Sequence, residues 1–318
     1  MCHVPSQTHP LEDMSTNAIL SHLRGLLPDV TAALTFANLI PEPIDPVIDA
    51  YLRDHLGFWR LRSAAESHVG NKRQHQEDGS FSSLNGRAFA VIDGMGGQSS
   101  GYAATKLVIE ALETTFPLPN LTQERFEVPQ TCPLMSAFIR ANAAIMHQSE
   151  HHPYLRGQGA TAAGVFIDRD HVNVVHIGDC RVYLWRQGHL EALTEDHSLI
   201  NEYKKLWDNG DPKIREHAGT WEEIKTNAER YKNVVTRCLG FKDHAEAQWS
   251  RHALMAGDEL LLCSDGLHDM IPDEKLATLL DTLPSGTAGR CRALMDAVLA
   301  TEASDNISII LVKIPPPL

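Results

Sequence analysis

The sequence predicts an α+β fold, with strands and helices in separate layers, on three observations. Short apolar runs of strand length recur between residues 88 and 314, several of them ended by Asp-Gly or Gly-Asp. Runs with apolar residues at helical spacing lie among them. Strands outnumber helices and do not alternate strictly with them, which disfavours a parallel βαβ wheel. A hydrophobic fraction of 43% and a charged fraction of 22% are those of a chain that buries a core. At 318 residues the chain exceeds an average domain of about 150, so one large domain plus an appendage is expected.

Residues 1–57 read as a helical N-terminal extension. Ser15 or Thr16 can cap a helix with Ile19, Leu20, Leu23 and Leu27 on one face. Pro41, Pro43 and Pro46 then break the chain before a second apolar-periodic run containing Val47, Ile48, Tyr51, Leu52 and Leu56. The main domain spans 58–318. Within it, residues 88–92, 172–177, 182–185, 259–263 and 307–314 are rich in Val, Ile, Leu and aromatics and read as buried strands. Ala103, Leu107, Val108, Ala111 and Leu112 share one helical face, as do Leu134, Phe138, Ala141 and Ile145, and later Leu294, Ala297 and Val298. From 196 to 233 the chain turns polar with few apolar anchors, which predicts a mobile surface excursion. The Pro315, Pro316 and Pro317 tail is expected to fray.

Acidic residues outnumber basic ones 41 to 28, a net charge of -13, so there is no basic footprint for nucleic acid. Cys2, Cys132, Cys180, Cys238, Cys263 and Cys291 form no C-x-x-C pair and read as reduced thiols, which points to the cytoplasm. With no basic-then-apolar leader and no apolar run near the roughly 18 residues of a span, no membrane partner is expected. His147, His151 and His152 include an i, i+4 pair, read as a solvated helix end rather than a metal clip.

Asp93 and Asp265 follow strand-like runs, and Asp305 precedes one. If those strands are neighbours, the three carboxylates converge at one sheet edge. Buried like charges repel, and the remedies are a raised pKa or a bound cation. Oxygen-only donors select Mg²⁺ or Mn²⁺, whereas Zn²⁺ would want His or Cys. Each of the pairs Asp78-Gly79, Asp93-Gly94 and Asp265-Gly266 also fits a simple hairpin turn. Gly94-Met95-Gly96-Gly97 invites a dinucleotide reading. Ser99 occupies the sixth fingerprint position, however, no G-K-[ST] follows, and Asp93 would repel a pyrophosphate.

Eight blocks occur in order: Arg73-Gln-His-Gln-Glu77-Asp78, Val91-Ile-Asp93-Gly-Met-Gly-Gly97, Gly159-Ala-Thr161, His176-Ile-Gly-Asp179-Cys-Arg181, Leu193-Thr-Glu-Asp-His197-Ser198, Thr236-Arg-Cys-Leu-Gly240, Leu262-Cys-Ser-Asp265-Gly266 and Ser304-Asp305-Asn306-Ile307. Together they resemble the type 2C, metal-dependent Ser/Thr protein phosphatase family, and DGMGG resembles its bacterial branch. The resemblance covers residues 60–314. It implies a β-sandwich of two antiparallel sheets flanked by helices, with a metal site at one edge.

It further implies two Mn²⁺ or Mg²⁺ ions bridged by Asp93, one site completed by Asp265 and Asp305 and the other served by the Gly94 carbonyl. Glu77 and Asp78 would hold metal-bound waters or ligate directly. Asp179 matches the ligand of a third, weaker ion, though it also fits a strand-end Asx turn. Arg73 would grip the phosphoryl oxygens. The implied reaction is hydrolysis of phosphoserine or phosphothreonine by a metal-held water without a phosphoenzyme, on a phosphoprotein made by an opposing kinase, by a monomer. Residues 196–233 fall where the family has its flap, which affects substrate choice.

Three positions depart from the family: Gln76 stands where Asn is usual, Cys180 where Ser is usual, and Met95 where eukaryotic members carry a His proposed to protonate the leaving alcohol. A metal-bound water or His75 remains for that proton. The competing expectation is a phosphatase fold kept as a scaffold that docks through residues 1–57. The full set Asp93, Asp265, Asp305 and Arg73 favours catalysis.

Overall fold

The computed structural model describes residues 15–26, 61–83, 86–96, 100–116, 132–168, 170–217, 220–228, 231, 233–284 and 286–314. Helix α1 (Thr16–Leu26) starts where expected. Ser15 caps it, its Oγ accepting from the Ala18 N–H at 3.4 Å, and Ile19 and Leu20 are buried. Leu27, the expected second run from Val47 to Leu56, and the proline tail lie outside the described residues.

The strands are β1 (Arg62–His68), β2 (Asp78–Ser82), β3 (Ala88–Met95), β4 (Gly159–Asp168), β5 (His171–Ile177), β6 (Arg181–Arg186), β7 (His189–Ala192), β8 (Gln248–Ala253), β9 (Glu259–Cys263) and β10 (Ile307–Lys313). They form two five-stranded antiparallel sheets, ordered β1-β10-β9-β6-β7 and β2-β3-β4-β5-β8. The remaining helices are α2 (Ser100–Thr115), α3 (Pro133–His151), α4 (Leu199–Asp208), α5 (Pro212–His217), α6 (Trp221–Ala228), α7 (Asp265–His268), α8 (Asp273–Thr282) and α9 (Thr287–Leu299).

Side-chain alternation explains the layers. On β3, Phe89 and Val91 face the other sheet and pack with Val182, Leu262, Ile310 and Val312. Ala90 and Ile92 face the opposite way, onto Val108 and Leu112 of α2 and Phe138 and Ile145 of α3. The outer face of the first sheet, with Leu261, Ile309 and Leu311, packs on Leu276 and Leu280 of α8 and Leu294 and Val298 of α9. The order is helices, sheet, sheet, helices. Central strands are therefore buried on both faces, and their sequences are continuously apolar rather than alternating.

The polar stretch 196–233, expected as a mobile surface excursion, holds α4, α5 and α6. Local pairs hold these helices. Lys204 bonds Asp208 one turn on at 2.7 Å and lies 5.3 Å from the Trp221 ring centroid, and Arg215 stacks over Trp207 at 5.5 Å. The root of the segment is tied down. His197 donates its N–H to the Gly178 carbonyl at 2.9 Å and accepts the Gly178 N–H on Nδ1 at 3.0 Å, and Thr236 N–H bonds the His197 carbonyl at 2.7 Å. The His197 ring stacks on His176 with centroids 4.6 Å apart, and burial, with the neighbouring His176 and Arg237, pushes its pKa down to about 4.

Candidate active site

The antiparallel register of β2 and β3 sets Asp78 directly opposite Asp93. Two of the three Asp-Gly pairs thus lie inside a ladder rather than at turns, and Asp265-Gly266 opens α7. Asp265 follows β9 by two residues and Asp305 precedes β10 by two, and these strands are neighbours, so both acids emerge at the same edge. Asp179 sits in the connection from β5 to β6, where the chain crosses from one sheet to the other. The connection from β1 to β2 crosses likewise and carries Arg73 and Glu77.

These crossings line one cleft of about 470 Å³, bringing together Arg73, Glu77, Asp93, Gly94, Asp179, Asp265 and Asp305. Two residues weighed in the sequence do not line it. His75 is exposed beside it, its carbonyl accepting from Asn306 Nδ2 at 3.0 Å. Asp78 is buried behind Asp93, its Oδ2 accepting from Ser264 Oγ at 2.7 Å. Met95 does line the cleft. The His147 and His151 ring centroids lie 4.1 Å apart, tilted by 32°, at the end of α3, away from the cleft lining.

Electrostatics make this cluster costly as ionised acids. Burial, then repulsion from Asp78, Asp265, Asp179 and Asp305, holds Asp93 well above the carboxylate range. Asp265 is raised for the same reasons, by burial first and then by Asp179 and Asp305. Burial pushes Asp78 up to about 7 against the opposing Ser264 hydrogen bond, and Asp179 up to about 6 with Asp196 adding repulsion. Among the described residues of the cleft lining the one cation is Arg73, which donates to Asp305 Oδ2 at 2.6 Å. Among the described residues, Asp265 Oδ1 and Glu77 Oε1 are buried without a hydrogen-bond donor.

An all-oxygen donor set with orphaned acceptors and excess negative charge fits hard divalent cations. No three His, Cys, Asp or Glu side chains among the described residues close tightly around one point. Lining a roomy cleft instead suits an ion such as Mg²⁺ that keeps several of its waters.

Several contacts that support the site were not assigned from sequence. Asn306 accepts the Glu77 N–H on Oδ1 at 2.8 Å and donates from Nδ2 to the Val69 and His75 carbonyls, so one buried amide shapes the loop carrying Arg73. Thr105 Oγ1 donates to the Glu77 carbonyl at 2.6 Å. Gly94 touches α2 so closely that a Cβ there would run into the Gly101 carbonyl. Ser264 joins the sheets, its Oγ bonding Asp78 and accepting the Ser308 N–H at 3.0 Å. Asn233 and Val235, where the polar segment ends, also line the cleft. Gly94, Ser264 and Asn306 fall within the motif blocks, whereas Thr105, Asn233 and Val235 lie outside them, and most of these contacts join residues far apart in sequence.

A family model described as Protein phosphatase 2C matches residues 65–302. The serine/threonine protein phosphatase PstP of Mycobacterium tuberculosis is 32% identical over 254 residues, 80% of this chain and 45% of that protein, so this chain spans less than half of that relative's length. The serine/threonine phosphatase stp of Listeria monocytogenes is 28% identical over 251 residues, 77% of this chain and 92% of that one. Among solved structures, the catalytic domain of PstP in complex with 2 manganese ions aligns with a TM-score of 0.64 at 30% identity, over 80% of this chain and 98% of that one. The family model takes in most of the sandwich, from within β1 to the residues just before Asp305, and the fold, the register and the cleft agree with it: the chain belongs to the protein phosphatase 2C family.

Proposed function

We propose that this chain is a Mn²⁺- or Mg²⁺-dependent protein serine/threonine phosphatase that hydrolyses phosphoserine and phosphothreonine by direct attack of water. The observation that carries it is the cleft itself, where recessed carboxylates from both sheets face the Arg73 guanidinium. Asp93, Asp265 and Asp305, with the Gly94 carbonyl, would hold two divalent ions, Glu77 would orient their waters, Asp78 would support Asp93 from behind, and Asp179 would hold a third ion. Bound there, such ions supply Lewis acidity toward water and countercharge for the phosphoryl group.

The chain's own groups do the rest. The planar fork of Arg73 matches two phosphoryl oxygens, and its hydrogen bond to Asp305 aims it into the cleft. Asn306 fixes the backbone on which Arg73 and Glu77 stand. A thiolate route is disfavoured, because burial raises the Cys180 thiol well above its ordinary range and pushes Cys238 up to about 12. Met95 has no proton to give and His75 lies off the lining, so the leaving alcohol takes its proton from water in the cleft. The contribution of Asn233 and Val235 to the lining supports residues 196–233 acting as a flap. The substrates are phosphoproteins made by an opposing kinase, and the free thiols of Cys132, Cys180, Cys238, Cys263 and Cys291 suit a reducing cytoplasm.

The test is hydrolysis of p-nitrophenyl phosphate and of a phosphothreonine peptide with Mn²⁺, with EDTA, and by Asp93→Asn and Asp265→Asn. Turnover should require metal and fall about 100-fold or more in each variant. Wild-type turnover no higher than that of the variants would favour a phosphatase-fold scaffold docking through residues 1–57.

A further inference from the structure

A second cavity of about 170 Å³ adjoins the cleft and shares Met95 and Val235 with it. Ile177, Cys238 and Phe241 supply further walls. The segment bearing Phe241 is braced at each step. Leu239 and Ala160 exchange backbone hydrogen bonds of 2.8 and 3.1 Å, which pins the segment to β4. Asn142, buried on α3, accepts the Gly240 N–H and donates to the Lys242 carbonyl, both at 2.8 Å. Gly240 adopts φ +91°, and a side chain there would also strike Ile145. Opposite, a Cβ on Gly159 would fall 2.8 Å from the Phe241 ring, so the ring rests on bare backbone.

The outcome of this bracing is an aromatic ring that is 59% exposed, with Val234 nearby in sequence 42% exposed. A fixed backbone that holds a phenyl ring in water gains nothing for the core, and here the ring borders a cavity that shares walls with the cleft. The charged side chains of the rim are engaged with one another or with a neighbour, His244 lying 3.6 Å from Glu246. Lys242 pairs with Glu246 at 2.7 Å, and Arg237 with Glu202 at 3.4 Å. Recognition here is therefore apolar rather than ionic, and an unpaired ammonium would lose hydration for no partner.

We infer that this cavity is a specificity subsite that receives an apolar side chain close to the phosphorylated residue of the substrate. It rests on the phosphatase reading, and its walls run into the cleft through Met95 and Val235. Its size suits one aliphatic side chain, with Phe241 as the outer wall.

The experiment uses phosphothreonine peptides carrying Leu, Ala or Lys at each of the two positions on either side, with kcat/KM measured for the wild type and for Phe241→Ala. Phe241 is exposed, so its truncation spares the fold. At one position Leu should exceed Ala by about 10-fold, with Lys poorest, and Phe241→Ala should shrink the Leu advantage to under about 3-fold. No discrimination by the wild type at any position, or a Leu preference that survives Phe241→Ala, overturns the subsite. p-Nitrophenyl phosphate, which has no flanking residue, separates the two failures. If the wild type hydrolyses it and all peptides alike, only the subsite falls. If Mn²⁺-loaded wild type hydrolyses none of them, the phosphatase reading falls and takes the subsite with it.

Discussion

Asp78→Asn should stabilise the metal-free protein, and by an amount that depends on pH. Asp78 lies buried opposite Asp93, and burial raises its carboxyl from 3.8 to about 7. The native state therefore keeps this proton to higher pH than the unfolded chain does. Below about pH 3.8 both states are protonated and no penalty exists. As pH rises the unfolded chain gains by ionising, and above about 7 the full penalty stands. A rise from 3.8 to about 7, at 1.36 kcal/mol for each tenfold step in acidity, is about 4 kcal/mol. Asparagine keeps an oxygen for the Ser264 hydroxyl, 2.7 Å away, while removing the charge that repels Asp93. Urea denaturation in EDTA at pH 4 and pH 8 reads the effect. The stability difference between variant and wild type should grow by about 4 kcal/mol from the lower pH to the higher. A difference that does not change with pH would show that Asp78 bears no such burden.

Three further outcomes follow from the geometry. Arg73→Ala should lower kcat/KM on a phosphopeptide by about 10- to 100-fold, and Arg73→Lys should restore only part of it, since an ammonium lacks the fork; full rescue by lysine would contradict bidentate grip. Gly94→Ala forces a methyl against the Gly101 carbonyl, so thermal melts should show a loss of about 1–3 kcal/mol together with lost turnover, and an unchanged melting temperature would refute the close approach of β3 and α2. Arg290 bonds the Glu259 carboxylate at 3.0 Å with both side chains buried, so Arg290→Leu should cost about 3–5 kcal/mol in urea denaturation, and a loss under about 1 kcal/mol would contradict the pair.

Much of the sandwich was legible because its central strands are buried twice. Residues 259–263 and 307–313 read as unbroken apolar runs for that reason, and Asp265 and Asp305 stood out as the charges beside them. Less was legible where burial came without bulk. All ten residues of β4 are buried, yet five are small for different neighbours: Ala160 and Ala162 pack in the helix-facing core, Leu134 of α3 is only 3.2 Å from where a Gly164 side chain would start, Ala163 faces the other sheet, and Gly159 lies under the Leu239 carbonyl and the Phe241 ring. The edge strand β1 is mostly polar and exposed, so alternation gave no signal. The helices within 196–233 are short and charge-rich, and the apolar positions of α4, Leu199, Tyr203, Leu206 and Trp207, stay at least partly exposed, so the stretch reads as polar surface. At the site, Asp78 opposing Asp93 is a matter of strand register, and Asn306 reaching back to Glu77 spans 229 positions, so neither is written in local pattern.

Acids from four separate stretches of chain are proposed to hold the divalent ions jointly. Calorimetric titration of the metal-free protein with Mn²⁺ tests this most directly. The wild type should take up about two equivalents, and Asp93→Asn, which removes the carboxylate proposed to face both ions, should lose that uptake while keeping its circular dichroism. Binding by Asp93→Asn with wild-type stoichiometry and affinity, or no uptake by the wild type, would contradict it.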